Sequence, residues 1–144
     1  MFERIDRRDF LKSAAVGAMA AASPALDAKP GPDSETLVTT LYKSLNPDQK
    51  SKICLGFDDP LRTKVDANWR ITPHKILEVF NRDQQAMVEE IFAGLHNPEF
   101  VGNVFRHMEE DYGGVRNYSV ALFGEPAKGG KFEFVLTGRH CTVR

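Results

Sequence analysis

The 144-residue sequence lacks a strong charge of either sign and a long apolar run. It has 19 Lys and Arg residues against 20 Asp and Glu residues, and nowhere do five basic residues follow one another. A formal net charge of −1 gives no long-range field that would collect nucleic acid, so we expect no nucleic-acid partner. The longest strongly apolar run, residues 14–22, has nine residues, whereas a helix needs about 20 to span a bilayer. The sequence therefore predicts no stable membrane span.

Short motifs that would identify a reaction are also missing. The two cysteines, Cys54 and Cys141, form no Cys-x-x-Cys pair, and the sequence has no His-Glu-x-x-His metal motif. No serine stands in a Gly-x-Ser-x-Gly nucleophile elbow. The apolar neighbours of Cys54 favour a buried, inert thiol, while a disulfide between Cys54 and Cys141 stays open if the protein reaches an oxidising compartment. The sequence alone identifies no catalytic residue.

The N-terminus has the three parts of a bacterial export signal, namely a basic segment, a short apolar segment and small residues near a cleavage site. Its basic segment resembles the twin-arginine signal Arg-Arg-x-Phe-Leu-Lys. The matching residues are Arg7, Arg8, Phe10, Leu11 and Lys12. The resemblance implies export of the folded protein by the twin-arginine translocase, and hence a location in the periplasm. Cleavage after Ala25 and cleavage after Ala28 both fit the small residues there.

The sequence divides into a removable signal at residues 1–28, a linker at residues 29–33 and a single domain at residues 34–144. Two prolines and a glycine in the linker disfavour helix and sheet. In the domain, helical apolar spacing occurs at residues 37–45, 87–95 and 100–108, and shorter helical turns follow Pro47 and Pro73. Asn81 or Asp83 would cap the second long helix, Asn97 would cap the third, and the glycines at 113–114 would end it.

From residue 117 onwards the apolar period changes to two, which predicts a β-hairpin and then a further strand. The fold class is therefore α+β, with N-terminal amphipathic helices packed on a small C-terminal antiparallel sheet. The hairpin has one large apolar face that the helices must cover. This face consists of Tyr118, Val120, Leu122, Phe132, Phe134 and Leu136. Residues 139–144 would leave an unpaired strand edge, so a non-catalytic module that pairs there with a partner or a second copy is one functional alternative.

The hairpin also resembles an uncharacterised bacterial family, domain of unknown function family 3500. The similarity is carried by residues 117–126 and 132–140, in the order strand, Phe-Gly-x-Pro, glycine turn, aromatic strand and Gly-x-His. It extends to the upstream helices at 81–95 and 98–111, although Arg139 stands where many members have a histidine. Members of this family are longer and continue past this motif. The resemblance therefore implies that this chain is the N-terminal part of a longer domain, either truncated or a short relative. The family has no assigned activity, and the resemblance implies none.

His107, Asp111 and His140 form the first candidate site. His107 and Asp111 are four residues apart on one predicted helix, so they project from the same face. We expect His140 in the strand that closes the hairpin, and packing of the sheet on the helix would bring the three together. Nitrogen and oxygen ligands of this kind bind zinc, iron or copper, which makes a transition metal the expected cofactor class. A surface contact between His107 and Asp111 on the helix is the simpler alternative.

A second candidate site lies in the loop between the helical turns. It consists of Asp58, Asp59, Arg62, Trp69 and His74, polar side chains beside the only tryptophan of the sequence. A loop of this length without a helical or strand period often carries function, and here it would bind a small ligand. The alternative is that Trp69 only holds the loop against the core.

Overall fold

The computed structural model describes residues 33–144. The twin-arginine residues, both candidate cleavage sites and the linker up to residue 32 lie outside the described residues. Five α-helices are found in the described part, and three short 3-10 helices lie between the regular elements. The helices are α1 (Ser34–Ser44), α2 (Pro47–Ile53), α3 (Ile76–Val79), α4 (Arg82–Gly94) and α5 (Val101–Tyr112).

Four strands form one mixed sheet in the order β1-β2-β3-β4. They are β1 (Cys54–Leu55), β2 (Ser119–Gly124), β3 (Phe132–Gly138) and β4 (Cys141–Val143). β2, β3 and β4 pair antiparallel as predicted, but β1 runs parallel to β2 and pairs Leu55 with Phe123. The α+β prediction is confirmed, and the sheet is mostly antiparallel, with β1 as one parallel strand at its edge. β1 has only two residues, which is too short for an alternation of apolar and polar residues to be recognised, and its partner β2 lies far away along the sequence.

Helix ends follow the local signals with one exception. Asn81 caps α4 and forms a reciprocal capping box with Gln84, and Gly113 ends α5 with a φ of 72°. Asn97 does not cap α5, which begins three residues later than predicted, at Val101. Its side chain instead accepts a hydrogen bond from the Glu99 amide, so Asn97 stabilises a separate turn before the helix.

The helices cover the predicted apolar face of the hairpin. Tyr118, Val120, Leu122, Phe134 and Leu136 are buried in the main core, and Phe132 packs against its rim. The helices contribute six almost fully buried side chains, which are Leu41, Ile53, Ile76, Val88, Ile91 and Phe92. Burial of such side chains provides about 1.5 to 3 kcal/mol each, so this face is the main source of stability.

The loop at residues 57–71 covers the other face of the sheet. Trp69 and Ile71 pack there on Ala121, Phe123 and Val135. The Ile71 amide donates to two buried hydroxyl oxygens of the sheet, Ser119 Oγ at 3.0 Å and Thr137 Oγ1 at 2.7 Å. The sheet is therefore buried on both faces, by helices on one side and by an irregular segment on the other.

The two cysteines lie on opposite edges of the sheet, Cys54 in β1 and Cys141 in β4. Three strand spacings of about 4.8 Å separate these edges by roughly 14 Å, whereas a disulfide needs Cα atoms within about 7 Å. Both thiols are free. A Cys54–Cys141 disulfide, left open by the sequence, is incompatible with this fold.

Candidate functional site

His140 lies in the turn between β3 and β4, and the prediction that it sits in a strand is wrong. Gly138 pairs with Cys141, which leaves Arg139 and His140 as a two-residue turn, and His140 has a φ of 55°. The left-handed region is uncommon for residues other than glycine, although histidine, asparagine and aspartate adopt it more often than others. The turn places both side chains above the end of α5.

Asp111 of α5 holds both side chains of this turn. Its Oδ2 atom lies 3.0 Å from His140 Nδ1, and its Oδ1 atom lies 3.3 Å from Arg139 Nε. In the neutral imidazole, a carboxylate on Nδ1 favours the tautomer in which that nitrogen carries the proton, which makes Nε2 the acceptor. Because 62% of the His140 side chain is exposed, this second nitrogen is open to a ligand.

The backbone of the turn is anchored as well. Tyr118 donates its hydroxyl proton to the Arg139 carbonyl at 2.9 Å. The His140 amide donates to Asn68 Oδ1 at 3.1 Å, which connects the turn to the loop that covers the sheet. The imidazole is therefore positioned by α5, by the residue that precedes β2 and by the loop, and its place does not depend on one contact.

A pocket of about 300 Å³ opens beside the imidazole. Its walls include Val104, Met108, Tyr118 and Cys141, which are mostly apolar. Burial, with smaller contributions from Cys141 and Asp111, raises the pKa of Tyr118 to about 12, and burial also raises the pKa of Cys141. Both groups stay protonated at neutral pH, so neither supplies an anionic nucleophile to the pocket.

His107 borders this pocket but does not join the Asp111–His140 pair. Its Nε2 atom lies 3.3 Å from an Nη atom of Arg106, and the residue is exposed on α5. Across residues 33–144, no three His, Cys, Asp or Glu side chains are grouped so that they could hold one metal ion. The structure thus brings together Asp111 and His140 of the first candidate site, whereas His107 contacts Arg106.

Two residues of the second candidate site have structural partners. Arg62 donates from Nε to the Phe57 carbonyl at 2.6 Å and forms an ion pair of 3.1 Å with Glu133. Asp59 accepts from the Leu61 amide and so caps the 3-10 helix Pro60–Thr63. Both side chains hold the loop in place.

The other three residues of that site do not converge on one ligand position. Trp69 is only 9% exposed and packs on the sheet, with its Nε1 donating to Thr142 Oγ1 at 3.2 Å. His74 is half-buried near α3, and Asp58 is exposed at the start of the loop. Trp69 thus packs the loop against the sheet.

Sequence reasoning missed three residues that line a second cleft, which has a volume of about 490 Å³. They are Asn68, Arg70 and Tyr112, and they share the cleft with Trp69, Gly138 and Arg139. Arg70 donates to the Tyr112 hydroxyl oxygen at 2.7 Å although the two residues are 42 positions apart. No local period links such residues, so the pattern of the sequence contained no signal for this cleft.

Within residues 33–144, no helix is both long and apolar enough to cross a membrane. Comparison with known proteins identifies the N-terminus and nothing further. Residues 4–24 match the family model of the TAT (twin-arginine translocation) pathway signal sequence, while the mature part has no family assignment. No curated protein and no solved structure matches the chain. The protein is therefore exported through the twin-arginine pathway and is handled by its translocase.

Proposed function

We propose that the mature protein acts in the periplasm and binds a small organic ligand in the pocket beside His140. The observation that carries this proposal is the Asp111–His140 pair, which presents an oriented imidazole at a mostly apolar pocket of about 300 Å³. Pockets that bind small molecules combine apolar walls with a few well-placed polar groups. The ligand would pack on Val104 and Met108 and donate a hydrogen bond to His140 Nε2.

Binding has more support than covalent catalysis. The pKa of Cys141 and that of Tyr118 are raised, so both side chains are neutral at physiological pH. Asp111 orients the His140 imidazole at the pocket, and without an activated nucleophile this imidazole acts as a hydrogen-bond acceptor.

A transition metal has less support than an organic ligand at this position. Asp111 already contacts His140 and Arg139, and His107 would have to leave Arg106 to become a ligand. Strand-edge pairing also has less support, because β4 offers only three residues to a partner.

We also propose that residues 44–140 belong with domain of unknown function family 3500. The support is the order of Phe123-Gly124-x-Pro126, a glycine turn and Gly138-x-His140 in the hairpin. The proposed ligand site contains the last of these residues.

Ligand-observed NMR with a collection of small organic fragments tests the site. We expect fragments that bind the wild-type protein and lose binding in His140→Asn, because asparagine tolerates the positive φ of the turn but removes the imidazole. His74→Asn is the matched control and should keep every hit. Hits that bind equally to the wild type and to His140→Asn would refute the proposal. A Zn²⁺ titration should show no tight site, whereas stoichiometric zinc that depends on His107 and His140 would favour the metal alternative.

A further inference from the structure

The second cleft beside the Arg139–His140 turn has a different character from the His140 pocket. It is lined by Asn68, Trp69, Arg70, Tyr112, Gly138 and Arg139, and of these only Arg139 also borders the His140 pocket. Its volume of about 490 Å³ falls in the range that holds small organic ligands. The polar side chains of this cleft determine which ligand chemistry fits.

The hydrogen-bond acceptors of these side chains are already used within the protein. Asn68 Oδ1 accepts from the His140 amide at 3.1 Å, which leaves the Asn68 Nδ2 amino group as the end that can meet a ligand. The Tyr112 hydroxyl oxygen accepts from Arg70 at 2.7 Å, so its own proton is available for donation. An edge-on contact with Tyr118, at 88° and with the ring centroids 5.5 Å apart, holds the Tyr112 ring in place.

The charges around the cleft are mainly positive. Arg70 and Arg139 line it, and Lys64 Nζ lies 5.4 Å from the centroid of the Trp69 ring. None of the six residues that line the cleft carries a carboxylate, while Asp111 contacts Arg139 and His140, and Asp66 lies 3.8 Å from Lys64. Arg139 uses Nε for Asp111, and a guanidinium has further N–H donors on its terminal nitrogens.

A cleft that offers two guanidinium groups, a phenol proton and an amide NH₂ requires a ligand rich in acceptors. We propose that it binds an organic oxyanion, a carboxylate or a phosphate ester, with the anionic group between Arg70 and Arg139. Arginine forms paired hydrogen bonds with either group. The remaining volume, beside the rings of Trp69 and Tyr112, would take the organic part, which a bare inorganic ion does not fill.

Trp69 gives a direct readout, because it is the only tryptophan and borders the cleft. The mature protein is titrated with succinate, citrate, glycerol 3-phosphate, inorganic phosphate and sulfate at a constant ionic strength set with NaCl. We expect a saturable change in tryptophan fluorescence with at least one organic anion. Succinate and citrate report a carboxylate ligand, and glycerol 3-phosphate reports a phosphate ester.

Arg70→Gln should weaken this binding by about tenfold or more, since it removes one charged donor pair. Tyr112→Phe should weaken it less, because it removes a single hydroxyl. Arg106→Gln is the matched control, an exposed arginine on the same helix as Tyr112, and it should leave the affinity unchanged.

Three results would overturn the oxyanion site, namely no saturable signal with any organic anion, equal affinity in Arg70→Gln and the wild type, or binding of inorganic phosphate or sulfate alone. His140→Asn separates this proposal from the ligand pocket, because it retains the backbone amide that orients Asn68. Anion binding should therefore survive in a variant that has lost the fragment hits. Loss of anion binding in His140→Asn, with Arg70→Gln unaffected, would place the anion at the imidazole and refute the second cleft.

Discussion

The side-chain amides of Gln49 and Gln84 bond to each other in the core and join the start of α2 to the start of α4. Gln49 Nε2 donates to Gln84 Oε1 at 2.7 Å, and Gln84 Nε2 donates to Gln49 Oε1 at 3.2 Å. Each glutamine also closes a capping box, Gln49 with Asn46 and Gln84 with Asn81. The same amide pair therefore satisfies two helix ends and one interhelical contact.

Gln84→Ala should lower the free energy of unfolding by about 2 to 3 kcal/mol, because it removes the buried pair with Gln49, the bond to the Ser44 carbonyl and the bond from the amide of the cap residue Asn81. Urea unfolding followed by circular dichroism measures the change. Arg82→Ala, an exposed substitution in the first turn of the same helix, should have little effect. A double-mutant cycle with Gln49→Ala should be strongly non-additive, and additive single effects would contradict the paired arrangement.

Glu133 gives the stability a dependence on pH. Burial tends to raise its pKa, but hydrogen bonds and charges from Arg144 and Arg62 outweigh burial and hold the pKa below the usual range. A depressed pKa in the folded state means that this stabilisation is complete above the unfolded-state pKa of about 4.3 and is lost as the pH falls through the folded-state value. Glu133→Gln should cost about 1 to 2 kcal/mol at pH 7, and the difference from the wild type should shrink below pH about 4.

Urea unfolding at several pH values between 7 and 3 measures this difference. Glu99→Gln, at an exposed position before α5, is the matched control and should show no comparable dependence. A Glu133→Gln effect that stays constant down to pH 3 would contradict the proposed ionic contact with the two arginines.

Gly138 has to remain without a side chain. A Cβ atom built there overlaps the Tyr118 ring, the same ring whose hydroxyl holds the Arg139 carbonyl. Gly138→Ala should lower the free energy of unfolding by about 2 to 4 kcal/mol, since the buried ring cannot move aside easily. Gly102→Ala, in an open position of α5, should instead stabilise the protein by about 0.5 to 1 kcal/mol. Thermal unfolding should show a lower Tm for Gly138→Ala and a higher Tm for Gly102→Ala than for the wild type. Equal changes in Tm would contradict the packing of Tyr118.

Export should depend on the paired arginines within the matched signal region. Replacement of Arg7 and Arg8 by lysine should leave the uncut precursor in the cytoplasm, because the twin-arginine motif is the part of the signal specific to this pathway. Arg4→Lys is the control and should be exported and cut normally. Fractionation and immunoblotting distinguish the two forms, and normal processing of the double variant would contradict the assigned route.

Those parts of the fold that depend on local pattern could be predicted from the sequence. The alternation of apolar residues identified the buried face from Tyr118 to Leu136, one of the two candidate caps, Asn81, starts α4, and Gly113 ends α5. These signals are local because a cap or a strand face is determined by neighbouring residues.

The candidate site could be predicted only in part. The spacing of Asp111 on its helix and the position of His140 after the hairpin suggested their contact, but His140 lies in a turn and His107 contacts Arg106. The bond between the His140 amide and Asn68 spans 72 positions, and its partner lies in a loop without a period. Such contacts follow from the tertiary arrangement, which no short window of sequence contains.

The loop that covers the outer face of the sheet has a consequence for the order of folding. Its Trp69 is bonded to Thr142, and Arg144 donates to the carbonyl oxygens of Arg62 and Lys64. The indole therefore reaches its native environment only after the ribosome has synthesised these downstream partners, and the loop closes late, after translation has passed β4. A chain that stops before residue 141 should show tryptophan emission at a longer wavelength than a chain that includes Thr142 and Arg144, because it lacks these partners of the loop.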